Sequence, residues 1–221
     1  MRDQPREGRA TQAARRPGRP VGADGDKTRA RIVAVALDTF ARRGLLGTSV
    51  RDIAQRARIR VSTLYHYFPS KESLYTEVQE HVHARVRALV VEALGRSGDL
   101  RTATREVVGV IFDFFLQHRA FLQLGYRSTL DGDARTTSDK RVSDRWLGLV
   151  EGTLGPAKAR GEVKSIDPVH FMLTVDALVH WHILNDAIYQ QHLGRGLDDP
   201  EVAAETREHV IRVALRTLGL D

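Results

Sequence analysis

From Lys27 onward, apolar residues recur at helical spacing. Ile32, Ala36 and Phe40 share one face, with Val33 and Leu37 beside it, and the pattern stops at Gly44, a C-cap after Arg42 and Arg43. A short second helix starts after Ser49, which can cap it while Asp52 completes a capping box, and its inward residues are Ile53, Ala54 and Ala57. After a turn at Arg58 to Arg60, a third helix carries Leu64, Tyr65 and Phe68 and ends before Pro69. Three short helices with a tight second connection read as a helix-turn-helix unit over 27–70. Beyond Ser70 the periodic stretches lengthen, to about 71–95, 100–117, 119–130, 138–154, 167–193 and 199–219, with no strand alternation. Asp167-Pro168, and Asp198 or Asp199 with Pro200, look like N-caps with proline at the first helical position. Asp131 to Ser138 reads as a mobile loop and Gly155-Pro156 as a break. The expected fold is all-α: a basic arm at 1–26, the helix-turn-helix domain at 27–70 and a larger helical domain at 71–221.

Charge sharpens this division. Residues 1–68 carry 15 Lys and Arg against 6 Asp and Glu, whereas 69–221 carry 19 against 22. A positive field confined to one end attracts a polyanion there and leaves the remainder weakly repelled. Residues 1–26 lack any apolar period and read as a disordered arm. Within it, Arg15-Arg16-Pro17-Gly18-Arg19-Pro20 resembles the Gly-Arg-Pro core of AT-hook peptides and suits a narrow minor groove. The chain has no cysteine, which removes disulfides, thiolate metal sites and cysteine nucleophiles. No apolar run is long enough to span a bilayer, so the expectation is a cytoplasmic protein with no membrane partner.

The runs Thr48-Ser49-Val50-Arg51-Asp52-Ile53-Ala54, Thr63-Leu64-Tyr65-His66-Tyr67-Phe68 and Lys71-Glu72-Ser73-Leu74 closely resemble the TetR family of transcriptional regulators, a resemblance that covers about residues 27–75. Carried over position by position, it implies that Arg51 reads a base. Arg60, Val61 and Ser62 open the recognition helix, Thr63, Tyr65 and His66 lie along it, Tyr67 and Lys71 meet phosphates, and Ser49 both caps and touches phosphate. Arginine can take guanine O6 and N7 bidentately, so Arg51 and Arg60 would favour G·C pairs. The turn departs from the family, with Arg58 in place of the usual glycine and Arg60 in place of the usual serine. A non-glycine residue in a left-handed turn is costly, and loss of the hydroxyl removes a cap. Independently of the name, Leu64 and Phe68 lie four apart on a face suited to Ile53, Ala57 and Phe40.

In the second domain Phe112, Phe115, His118, Leu122, Tyr126, Trp146, Asp176, His180 and Trp181 are candidates to line an apolar pocket with a few polar fixing points, and each also suits simple core packing. Asp176 and His180 sit four apart and invite an acid-base or metal reading. No third ligand stands at a telling spacing, and no nucleophile motif, phosphate loop or zincin pattern appears, so neither an enzyme nor a metal or cofactor is expected. Stripes at Leu173, Ala177, Trp181, Leu184, Ile188 and at Val202, Thr206, Val210, Val213, Leu218 suit the four-helix dimer seam that the resemblance implies. The expected function is a homodimeric repressor that binds a palindromic operator in double-stranded DNA and is released by a small-molecule effector. The alternative is a DNA-binding regulator or architectural protein without an effector.

Overall fold

The computed structural model describes residues 21–130, 137–163 and 166–220; most of the basic arm and most of the Asp131 to Ser138 segment fall outside these. The described residues form α1 Val21–Arg43, α2 Val50–Arg56, α3 Val61–Tyr67, α4 Lys71–Arg96, α5 Leu100–Gln117, α6 Arg119–Leu130, α7 Thr137–Ala159, α8 Pro168–Leu184, α9 Asp186–Leu193 and α10 Pro200–Leu218, without strands. Local signals placed many of these ends. Asp167 accepts from the Val169 and His170 amides, Asp199 accepts from Glu201 and Val202, and proline follows each. These bonds satisfy amides that a helix start leaves without partners.

Two cores organise the helices. The first joins Ile32, Ala36 and Phe40 of α1 to Ile53, Ala54 and Ala57, to Leu64 and Phe68, and then to Leu74, Tyr75 and Val78 of α4 and Leu124 of α6. This core therefore runs past residue 70, and the Phe40 and Tyr75 rings meet edge-on at 5.0 Å across that boundary. The second core is built from α4, α5, α8 and α10, including Val86, Phe112, Phe115, Val179, Ile211 and Leu215. Helix α6 turns 93° from α5 and contributes Phe121 and Leu122 to this second core. It also packs along α1, so it touches both halves of the molecule.

Three boundaries differ from the sequence reading. Helix α1 begins at Val21 rather than near Lys27, because Gly22 and Gly25 obscure the helical period although the helix accommodates them. A Cβ at Gly25 would lie 3.7 Å from Tyr67 Oη, so the early part of α1 passes the end of α3. Helix α7 continues through Pro156, whose missing N–H costs a single bond near the helix end, while Leu154 and the buried Ala157 anchor this stretch. Its stop is Gly161 at φ 71°, where Gly161 N–H donates to Lys158 O and Glu162 N–H to Ala157 O. The stretch 167–193 divides at Asn185, because Asp186 is drawn to Arg119 of α6 at 2.9 Å and accepts from the Leu197 amide at 2.6 Å.

Candidate nucleic-acid interface and sensing domain

Helix α3 buries Leu64 and turns most of its polar side chains outward. Arg60, Ser62, Tyr65 and His66 are exposed, Val61, Thr63 and Tyr67 are half-buried, and His66 and Tyr67 meet edge-on. On α2, Ser49 accepts from the Asp52 amide at 3.1 Å, as expected of an N-cap. The reciprocal half of the expected capping box is absent, because the Asp52 carboxylate turns to Arg43 at 2.9 Å. Arg60 stands at the N-cap of α3 without a side-chain cap. The reciprocal box occurs instead at α4, where Ser70 and Ser73 each accept from the other's amide. The sequence reading missed it because serine is shorter than the glutamate or glutamine the pattern looks for.

The α2–α3 turn keeps the conformation that its sequence makes costly. Arg58 lies in the left-handed region at φ 54°, and among the described residues it is the one non-glycine there. Its N–H donates to Gln55 O and the Ile59 N–H to Ala54 O, both at 3.0 Å, which is a Schellman ending. Helices α7 and α10 close with the same two bonds around Gly161 and Gly219. The backbone thus keeps the expected turn, and the arginine bears the strain.

Lys71, expected on phosphate, has partners inside the protein. Its Nζ donates to Leu45 O at 2.8 Å and to Thr48 O at 3.2 Å, which ties the α1–α2 loop to the start of α4. The buried Thr48 hydroxyl adds a bond to Gly44 O at 2.7 Å. Of the six arginines from 42 to 60, Arg42 and Arg56 pair with Asp38 and Arg43 with Asp52. Arg51, Arg58 and Arg60 are exposed and form no ion pair with a described residue. The cations without carboxylates therefore lie at the start of α2, in the turn and at the start of α3.

The nine proposed pocket residues do not converge on one cavity. Phe112, Phe115 and Leu122 are packed into the second core, whereas Tyr126 is 46% and Trp181 59% exposed. His118 donates from Nδ1 to Phe114 O and stacks on the Phe114 ring at 4.5 Å, and Trp146 donates to His83. Helical periodicity identifies inward faces, but it does not say whether the facing side chains leave space. One small group does assemble: His180 lies 3.3 Å from Asp176 through Nδ1, and its ring meets Phe115 edge-on at 4.7 Å. Its Nε2 is buried without a hydrogen-bond partner among the described residues. A separate concavity of about 90 Å³, between α7 and the start of α8, is lined by Leu154, Lys158, Val163, Ile166 and Pro168 among others, none of them predicted.

The two apolar stripes also differ from each other. On α10, Val202, Thr206, Val210 and Leu218 are buried within the chain, so that stripe belongs to the core. On α8, Val169, Leu173 and Trp181 are exposed, as is Ile188 beyond it on α9. No single helix among the described residues is long and apolar enough to cross a membrane.

Comparison with known proteins agrees with this arrangement. Residues 32–78 match the model of bacterial regulatory proteins of the tetR family, and 101–213 match the tetracyclin repressor-like C-terminal domain. The chain is 39% identical to the transcriptional regulator RutR of Escherichia coli K12 over 83% of its own length and 87% of that protein's. It is 26% identical to the transcriptional repressor NicS of Pseudomonas putida, over 87% of this chain and 93% of that one. Among solved structures, a TetR family transcription regulator from Marinobacter aquaeolei VT8 shares the fold with a TM-score of 0.75 at 19% identity, covering 90% of this chain and 98% of that chain. The transcriptional regulator FadR of Bacillus subtilis, in complex with stearoyl-CoA, shares it with a TM-score of 0.67 at 16% identity, covering 86% and 98%. With a helix-turn-helix that exposes unpaired arginines, and with both halves matched, the chain belongs to the TetR family of DNA-binding bacterial transcriptional regulators.

Proposed function

We propose that the chain is a homodimeric, cytoplasmic repressor that binds a palindromic operator and releases it when a small molecule occupies the helical domain. The observation that carries this reading is the exposed apolar stripe of α8, Val169, Leu173 and Trp181, in a chain with a single recognition helix of seven residues. One such helix supplies few base contacts, and a two-fold dimer doubles them at a spacing of one turn of DNA. A face of this kind in water is stabilised by covering it with its own copy. Arg51 and Arg60 would read base edges. Ser62, Thr63, Tyr65 and His66 would line the groove beside Val61, and Ser49 and Tyr67 would meet phosphates.

For the effector, Phe115 and the buried Nε2 of His180 support a ligand with an apolar body and one hydrogen-bond donor. The related FadR fold with stearoyl-CoA bound supports the same apolar class. The decisive experiment selects bound duplexes from random DNA with the purified full chain. Recovered sites should contain two inverted half-sites about 10 base pairs apart, centre to centre. Single half-sites bound by a monomer would refute the dimeric reading.

A further inference from the structure

We propose that Arg58 is a phosphate-binding residue of the operator complex, a contact outside the recognition helix and held at the expense of backbone strain. The inference rests on the DNA-binding reading and adds to it a residue with no place in the reading face described above.

Three observations support it. The turn at Arg58 has the same two hydrogen bonds as the endings of α7 and α10, yet those two place glycine at the left-handed position, with φ 71° and 75° against 54° for Arg58. The fold itself therefore asks for glycine, and an arginine there works against folding. The side chain does not repay this within the protein: it is exposed and forms no hydrogen bond, ion pair or ring contact with a described residue. Finally, Asp38 pairs with Arg42 and Arg56 and Asp52 with Arg43, which leaves Arg51, Arg58 and Arg60 as the cations of this stretch without an ion pair to a described residue. Arg58 stands two residues before the N-cap of α3, so its charge joins that of Arg60 at the start of the recognition helix.

The choice of phosphate over a base edge follows from stiffness. Bidentate reading of guanine needs a guanidinium held in a fixed plane. A solvent-exposed side chain on a turn, with no hydrogen bond or ion pair to a described residue that would fix its plane, supplies charge and reach, which is what a phosphate contact uses.

The test compares the full chain with Arg58→Gly and Arg58→Lys, on a duplex selected from random DNA and on a scrambled duplex of the same composition. Affinity is measured from 50 to 200 mM salt, and thermal unfolding is recorded for each protein. Arg58→Gly should melt no lower than the parent and yet bind both duplexes more weakly. With one phosphate lost per protomer of a dimer, the slope of log K against log salt should flatten by about 1.8, so its deficit shrinks about tenfold across this range. Arg58→Lys, which keeps the charge and the strain, should retain the parent slope. An unchanged slope for a well-folded Arg58→Gly overturns the proposal, as does a loss confined to particular base pairs. If the parent chain selects no duplex, the DNA-binding reading fails and this proposal with it; if the parent binds and Arg58→Gly matches it, the proposal alone fails.

Discussion

At Arg58 the interests of the fold and of the interface separate, and the difference is measurable. A left-handed residue with a Cβ costs about 1–2 kcal/mol relative to its right-handed form, and glycine regains part of this at the expense of greater freedom in the unfolded chain. Arg58→Gly should therefore stabilise the protein by about 1 kcal/mol, raising the melting temperature by about 2–4 °C. A fall in calorimetric scans would contradict the strain argument. Lys71 makes the opposite case, since its two bonded carbonyls lie 26 and 23 residues away in the chain. Lys71→Met should lower the free energy of unfolding in urea by about 1–3 kcal/mol, because two charge-assisted bonds to backbone carbonyls disappear. A variant of parental stability that had merely lost DNA affinity would restore the phosphate role implied by the resemblance. The contrast shows what sequence discloses at this scale. Asp167 was legible as a cap, and Asp199 as one of two neighbouring candidates with Asp198, because their acceptor geometry is local, and Arg58 because its residue type conflicts with its turn. Lys71 was not, because nothing near it in the chain names its acceptors.

Among elements, α5 and α6 start and stop where their apolar period says, whereas α8 and α9 are divided by a bond that period cannot register, from Arg119 to Asp186. The same long-range logic separates the two apolar stripes. Both have helical spacing, but Val202 and Val210 of α10 meet the core of their own chain, whereas Leu173 and Trp181 of α8 remain exposed. Trp181→Glu combined with Leu173→Glu should consequently leave the melting of the isolated protomer almost unchanged while abolishing the dimer in sedimentation runs. A dimer that survives both charges would move the seam elsewhere. Where α8, α9 and α10 meet, the Tyr189 hydroxyl and His182 Nδ1 share a hydrogen bond and the His209 ring stands 5.5 Å away. Burial, and then the neighbouring His209, hold the His182 imidazolium below its ordinary pKa of 6.5. The folded state prefers neutral His182, so its contribution is fully present above about pH 6.5 and is lost as pH falls and the unfolded chain takes up the proton. Unfolding free energies measured between pH 7.5 and 5 should decline, and His182→Gln should reduce that decline. An identical pH dependence in the variant would assign it to other groups.

For the molecule as a whole, the proposed effector response requires a signal to cross from the second core to the first, and two elements contribute buried residues to both. Helix α4 contributes Leu74 and Val78 to the first core and Val86 and Val90 to the second, and α6 contributes Leu124 to one and Phe121 to the other. The sequence made the two bodies visible through charge and helix length, but whether the candidate pocket residues enclose a cavity was not legible, because space between helices depends on how facing side chains fill it. The proposed effector site at Phe115 and His180 lies on α5 and α8, and α6 follows α5 after the 93° bend at His118. A ligand that parts α5 from α8 would shift α6 along α1, and so the separation of two reading heads that successive major grooves fix at about 34–36 Å. Such a ligand acts only through unequal affinity for the two arrangements; one that binds both alike shifts nothing. Apolar compounds carrying one hydrogen-bond donor, chosen by the rise they cause in melting temperature, should therefore weaken operator binding. The same factor must appear when the ligand is titrated onto the protein–DNA complex instead of the free protein, because the coupling free energy is reciprocal. His180→Phe, which removes the buried Nε2 and keeps an aromatic ring against Phe115, should lower ligand affinity while leaving unliganded operator binding in place. If saturating ligand leaves operator affinity unchanged, or if His180→Phe binds the ligand as the parent does, the effector site does not lie between α5 and α8.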